Sequence, residues 1–210
     1  MIGIFGGTFD PVHYGHLRSA IEVKEIFGLD EVRLIPSAQP PHRTSPLASA
    51  AMRLDMLRLA TENQPSLFID TRELDRQGAS FMVHTLLSLK HDFPQQPLLL
   101  IIGSDAFNGL TGWHQWQQLF DYAHIIVLTR PGFIVQRLDI FFASRHTINK
   151  QELSEQSAGK LYFQPVTQLE ISATKIRTMI ADNRNPAYLL PDAVLTYIRQ
   201  HQLYQAQTVT

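Results

Sequence analysis

The sequence predicts an α/β domain: a doubly wound, mostly parallel sheet with a small helical addition towards its C-terminal end. Three observations carry this. Short β-rich runs alternate with longer stretches of helical spacing along the chain, which is the pattern of βαβ units. Residues 98–102 are five apolar residues in succession, as expected of a strand buried on both faces at the centre of a sheet. At about 150 residues per domain, the 210 residues make one domain or one domain with a modest appendage.

Taken in order, residues 2–5 read as a first strand. Residues 17–27 follow helical spacing through Leu17, Ala20, Ile21 and Phe27, and Gly28 supplies the stop. Residues 32–35 form a second strand ended by Pro36, and 36–46, with four prolines and no apolar period, form a surface loop. Met52, Met56, Leu57 and Ala60 place a helix before Pro65, and 67–69 are a short strand. Ser80 is positioned to cap a helix running to about Phe93. After the apolar strand come a helix within 113–122 and a strand at 125–128. Residues 133–159 read as a variable helix and loop, where disorder is expected first. A last strand at 162–166, a helix at 172–182 and a terminal helix at 191–201 with Pro191 in its first position complete the chain. The whole is expected to be a single Rossmann-like domain, 1–210, with a core over 1–170 and C-terminal helices over 171–205.

Composition narrows the function. Lys and Arg number 18 against 19 Asp and Glu, a net charge of -1, so there is no basic excess of the kind nucleic-acid binders use against phosphate. No apolar run approaches the roughly 18 residues of a membrane span, and the first residues lack the pattern of a secretory signal. The absence of Cys removes disulfides, thiolate metal sites and thiol nucleophiles together. A cytoplasmic protein that binds neither nucleic acid nor membrane is expected.

The most informative segment joins the first strand to the first helix: Gly6-Gly7-Thr8-Phe9-Asp10-Pro11-Val12-His13-Tyr14-Gly15-His16. In open α/β sheets ligands bind at such strand ends. Adjacent glycines allow close backbone approach, and the helix N-terminus that follows favours phosphate. The glycine spacing matches neither the dinucleotide fingerprint nor the P-loop. His13 and His16 share a helical face. They either close the turn or stabilise charge on phosphate oxygens; no third ligand at metal-binding spacing follows them, so no protein metal site is expected.

Here the sequence resembles a nucleotidyltransferase family with a [TH]-x-G-H signature, matched by His13-Tyr14-Gly15-His16. A second segment, Ile171-Ser172-Ala173-Thr174-Lys175-Ile176-Arg177, looks like that family's I-S-[SA]-T-x-I-R stretch. With Gly103-Ser104-Asp105, Trp113 and Arg130-Pro131-Gly132 between them, the set is similar to the bacterial nicotinate-nucleotide adenylyltransferases. The resemblance implies transfer of the adenylyl group of ATP to nicotinate mononucleotide, giving deamido-NAD and pyrophosphate. Mg2+ would arrive with ATP. The substrate phosphate is the nucleophile, so none is needed from the enzyme.

On that resemblance His16 contacts the ATP phosphates with His13 assisting, and Arg177 serves the transition state beside them. Gly6, Gly7 and Thr8 offer backbone and hydroxyl hydrogen bonds. Thr174 and Arg177 form a second jaw on the triphosphate, and Ser172 stands with them as an N-cap. Lys175 faces water. Asp105 accepts from ribose hydroxyls or caps a helix, and Arg130 edges the adenine pocket or merely turns the chain. Asp10 caps the turn or touches ligand. On the mononucleotide side stand Arg43 in the proline-rich loop, Thr85, Trp113, which stacks on the pyridine or packs in the core, and His114. Two departures fall near that pocket: Ser80-Phe81-Met82 replaces the family's Ser-Tyr-Thr, and His114 replaces an aromatic. His114 would favour the acid by pairing with its carboxylate. The competing readings are a nicotinamide-mononucleotide or phosphopantetheine adenylyltransferase and, from another class, a nucleotide-binding regulator without turnover.

Overall fold

The computed structural model describes residues 1–38, 46–129, 132, 137–167 and 169–206. Six strands, β1 (Ile2–Gly7), β2 (Glu31–Pro36), β3 (Leu67–Ile69), β4 (Leu98–Gly103), β5 (His124–Thr129) and β6 (Leu161–Pro165), form one sheet in the order β3-β2-β1-β4-β5-β6. Every pairing in it is parallel. The strand order reverses between β1 and β4, and at that switch the two carboxyl ends, Gly6-Gly7 and Gly103, open side by side.

The alternation of side chains along the central strands builds two cores. Leu99 and Ile101 of β4 join Leu17, Ala20, Val23 and Phe27 of α1 (Tyr14–Phe27), with Met56 and Leu57 of α2 (Ala50–Thr61). Leu98, Leu100 and Ile102 turn to the opposite face, against Val83, Leu86 and Leu89 of a helix at Met82–Asp92. A short helix, α3 (Arg72–Asp75), precedes this one, which is therefore α4. The predicted five-residue apolar run is thus buried on both faces, as its composition requires. Gly28 ends α1 in the left-handed conformation at φ 59°, its N–H bonded to the Lys24 carbonyl.

Beyond β4 lie α5 (Ser104–Asn108), two 3-10 turns and α6 (Leu119–Tyr122), then α7 (Ile140–Ala143), α8 (Glu152–Glu155), α9 (Ala173–Ala181) and α10 (Asp192–Gln200). His124 opens β5 fully buried. The Lys160 N–H donates to its Nδ1 at 3.1 Å, so the ring proton sits on Nε2, which donates to the Gln156 carbonyl at 2.9 Å. Burial lowers the pKa of this imidazole.

Four expectations need adjustment. Ser80 does not cap α4: Phe81 holds the N-cap position, and the Ser80 hydroxyl instead accepts from the Ala38 N–H at 3.0 Å. The helix within 113–122 begins as a 3-10 turn at Trp116–Gln118, because Gln115 takes a left-handed conformation at φ 50°. Pro191 is the N-cap of α10 rather than its first helical residue. Of residues 133–159, the described part from 137 onwards carries α7 and α8, ordered by the burial of Phe142 and Leu153.

Candidate active site

The loop leaving β1 is held from behind. Arg53 lies on the buried face of α2, only 1% exposed. Its Nη1 donates to the Thr8 carbonyl at 2.6 Å and its Nη2 to the Ser37 carbonyl at 2.8 Å. The guanidinium therefore ties the end of β1 to the end of β2. Desolvation lowers its pKa while Asp10 opposes this. Phe9 takes a positive φ of 49°, and the Asp10–Pro11 peptide is cis. Asp10 is buried. Its carboxylate accepts from the N–H groups of Leu47 and Ala48 at 2.9 and 3.2 Å. Asp10 thus anchors the approach to α2, 37 and 38 positions away, rather than capping its own turn.

His13 is the N-cap residue of α1, and its carbonyl accepts from the N–H groups of His16 and Leu17. This puts both imidazoles on one face, stacked with ring centroids 3.7 Å apart and planes at 26°. Phe9 presents its ring edge-on to His16, centroids 5.1 Å apart. Burial lowers the pKa of His13 to about 4, so its ring is neutral near pH 7. His13 can then offer a hydrogen bond to an anion, not a full charge. Its buried Nδ1 has no hydrogen-bond partner among the described residues. Gly15 is closely approached: a Cβ there would stand 3.0 Å from the His13 ring and 3.4 Å from the Ile171 carbonyl oxygen.

That carbonyl belongs to the second segment. Ser172 caps α9, its hydroxyl accepting from the Lys175 N–H at 3.2 Å, and Lys175 is exposed as expected. Ile176 points into the core, which turns Arg177 back across the loop. Arg177 Nη1 donates to the Asp10 carbonyl at 2.7 Å, joining residues 167 positions apart, and Nη2 donates to Thr174 Oγ1 at 3.2 Å. The two recognised segments are therefore neighbours in space.

Beside them, at the topological switch, opens a cavity of about 500 Å3. Its wall includes Gly6, Gly7, Thr8, Asp105, Trp113 and His114; His13, His16, Ser172, Thr174 and Arg177 lie outside that wall. Asp105 is exposed in the first turn of α5, whose N-cap position is held by Gly103. Trp113 packs against the core and also lines the cavity. His114 stacks on Phe81 with centroids 4.3 Å apart. Thr85 does not reach the cavity. It is fully buried, and its hydroxyl donates to Glu73 Oε1 at 2.6 Å, so Glu73 lines the wall in its place. Arg43 and Arg130 lie outside the described residues. Among the described residues no cluster of three His, Asp or Glu side chains stands ready to hold a metal.

Three residues here escaped sequence reasoning: Arg53, Glu73 and Tyr204, whose hydroxyl donates to Asp10 Oδ1 at 2.7 Å. For Arg53 a signal existed, a cation three and four positions before Met56 and Leu57 on an apolar helical face. Glu73 and Tyr204 carry no comparable pattern.

Residues 4–179 match the family model described as cytidylyltransferase-like. The chain is 48% identical over 208 residues to the "Probable nicotinate-nucleotide adenylyltransferase" of Methylococcus capsulatus, covering 97% of this chain and 99% of that one. It is 43% identical to the protein of the same description from Aeromonas hydrophila, covering 97% of each. Among solved structures, the Plasmodium falciparum nicotinic acid mononucleotide adenylyltransferase complexed with NaAD superposes with a TM-score of 0.74 at 16% identity. That match covers 97% of this chain and 96% of the other, and shows the same fold.

Proposed function

The chain belongs to the cytidylyltransferase-like family, within its nicotinate-nucleotide adenylyltransferase branch, and we propose that it joins nicotinate mononucleotide to the adenylyl group of ATP. A phosphate oxygen of the mononucleotide attacks the α-phosphorus; the bond from that phosphorus to the bridging oxygen breaks, and pyrophosphate leaves with the electron pair. The products are deamido-NAD and pyrophosphate.

One observation carries the reading: Arg177 of the second segment donates to the carbonyl of Asp10, in the loop that runs into the stacked His13 and His16, beside a cavity of about 500 Å3. Such a reaction brings two anions together, so catalysis is alignment and neutralisation of charge. Gly6, Gly7 and Thr8 would present N–H groups at the helix entrance, with Ser172 fixing the opposing one. His16 and His13 would donate to the phosphate undergoing attack. Arg177, with two of its five N–H donors engaged by Asp10 and Thr174, would turn the rest of its fork towards the triphosphate. Asp105 would accept from a ribose, Trp113 and His114 would flank the pyridine, and Arg43 and Arg130 would complete the phosphate and adenine contacts. Mg2+ would arrive with the substrate as Mg-ATP and supply positive charge to its phosphates. A cytoplasmic setting, where ATP and the mononucleotide meet, fits this role.

The test is pyrophosphate release from Mg-ATP with and without the mononucleotide. Release that depends on the acceptor supports the proposal. ATP binding with no release under either condition would make the chain a nucleotide-binding regulator instead.

A further inference from the structure

The chain end returns to the phosphate loop. Tyr204 is 9% exposed, and its hydroxyl reaches Asp10 Oδ1 across 194 positions at 2.7 Å. Ala48 N–H meets the same oxygen, and Leu47 N–H meets Oδ2. On the other side of the residue, the Asp10 carbonyl receives Arg177. One buried residue, 5% exposed, thus connects the approach to α2, the C-terminal tail and α9. A desolvated carboxylate is held in rotation only as well as its donors hold it. Leu47 and Ala48 approach from one adjacent pair of N–H groups; the phenol comes from a separate element. Removing the phenol takes one of two donors from Oδ1 and unties Asp10 from the C-terminal tail, which leaves the loop at Asp10, and with it the carbonyl that receives Arg177, less firmly placed.

We propose that Tyr204 is a positioning residue for adenylyl transfer, acting through Asp10 to hold the Arg177 guanidinium on the phosphate side of the site. The assignment rests on the reading of the site as an adenylyltransferase. Burial and the neighbouring carboxylate push the phenol's pKa far up, so Tyr204 stays a donor across the whole neutral range. Arg53, bonded to Thr8 rather than to Asp10, secures the loop two residues earlier and leaves Tyr204 to set the orientation at Asp10 itself.

Tyr204→Phe removes one oxygen and keeps the ring in its place. With Mg-ATP and nicotinate mononucleotide, kcat should fall at least fivefold while the KM for ATP changes less than twofold, at a temperature well below melting. Asp10→Asn should show a loss of the same kind, and Tyr204→Phe added to it should cost no more than twofold further. Independently of turnover, the Arg177 Nε–H resonance should move in Tyr204→Phe. A kcat within twofold of the parent, full additivity of the two substitutions or an unmoved Arg177 resonance would each overturn the proposal, whereas a purely structural tyrosine would lower only the melting temperature. A parent chain that releases no pyrophosphate would count against the adenylyltransferase reading, and the resonance would then decide alone whether Tyr204 positions Arg177.

Discussion

The imidazoles of His13 and His16 lie face to face, 3.7 Å between centroids, and the buried member of the pair has given up its charge. Two stacked cations at that spacing would repel each other. A neutral His13 lets the stack persist while supplying a donor to phosphate. The helix entrance and Arg177 then provide the positive potential.

Stability should fall on mild acidification. The folded His13 takes up its proton only near pH 4, and His124 is shifted in the same direction, whereas the unfolded chain protonates both near pH 6.5. Between those values the unfolded state binds more protons, so stability is complete above about pH 6.5 and is lost as the pH falls towards 4. The His13 shift alone corresponds to about 3 kcal/mol. Urea midpoints at pH 7.5, 6 and 5 measure this; equal or rising midpoints at pH 5 would refute it.

Gly15→Ala sets helix propensity against contact. In an exposed helix the change would stabilise by about 1 kcal/mol. Here the new methyl meets the His13 ring and the Ile171 carbonyl, and at least one of them must move. Turnover should fall by about tenfold or more, without a gain in melting temperature. A Gly15→Ala variant that is more stable than the parent and turns over at the parent's rate would show that the two segments do not need their close approach.

Arg177→Lys keeps the charge and removes the fork. An ammonium cannot serve the Asp10 carbonyl, Thr174 and a phosphate in one plane. The expected loss in kcat/KM is about 100-fold, or ~2.7 kcal/mol of transition-state stabilisation, read by steady-state pyrophosphate release. A lysine variant within about threefold of the parent would confine Arg177 to simple charge.

Arg53→Met should destabilise the chain by about 2–4 kcal/mol, because two buried carbonyls lose a charged donor and the side chain that replaces it fills only the volume. Denaturant titration gives the number. A change below about 0.5 kcal/mol would mean that the loop is held by other contacts.

The architecture was legible wherever apolar spacing decides structure. The strands at 67–69 and 98–102 and the helix stop at Gly28 all follow from local pattern, and they appear where expected. The segment 6–16 was legible from its glycines and histidines at a strand end, and 171–177 from its resemblance to a known signature; their meeting at Asp10 is seen only in the structure. What stayed hidden depends on distant partners. Ser80 finds Ala38 rather than its own helix, Thr85 finds Glu73 rather than the cavity, and Asp10 finds a tyrosine 194 positions away. A polar side chain's role is set by which donor or acceptor the fold delivers to it, and no local period records that.

The central claim is tested most directly by comparing deamido-NAD formation from nicotinate mononucleotide with adenylylation of its amide and of phosphopantetheine, all with Mg-ATP. The kcat/KM should be at least tenfold higher for the acid than for either alternative, about 1.4 kcal/mol in relative transition-state stabilisation, with Met82 and His114 in the cavity wall. Equal or faster transfer to the amide or to phosphopantetheine, or no transfer to any of the three, would contradict it.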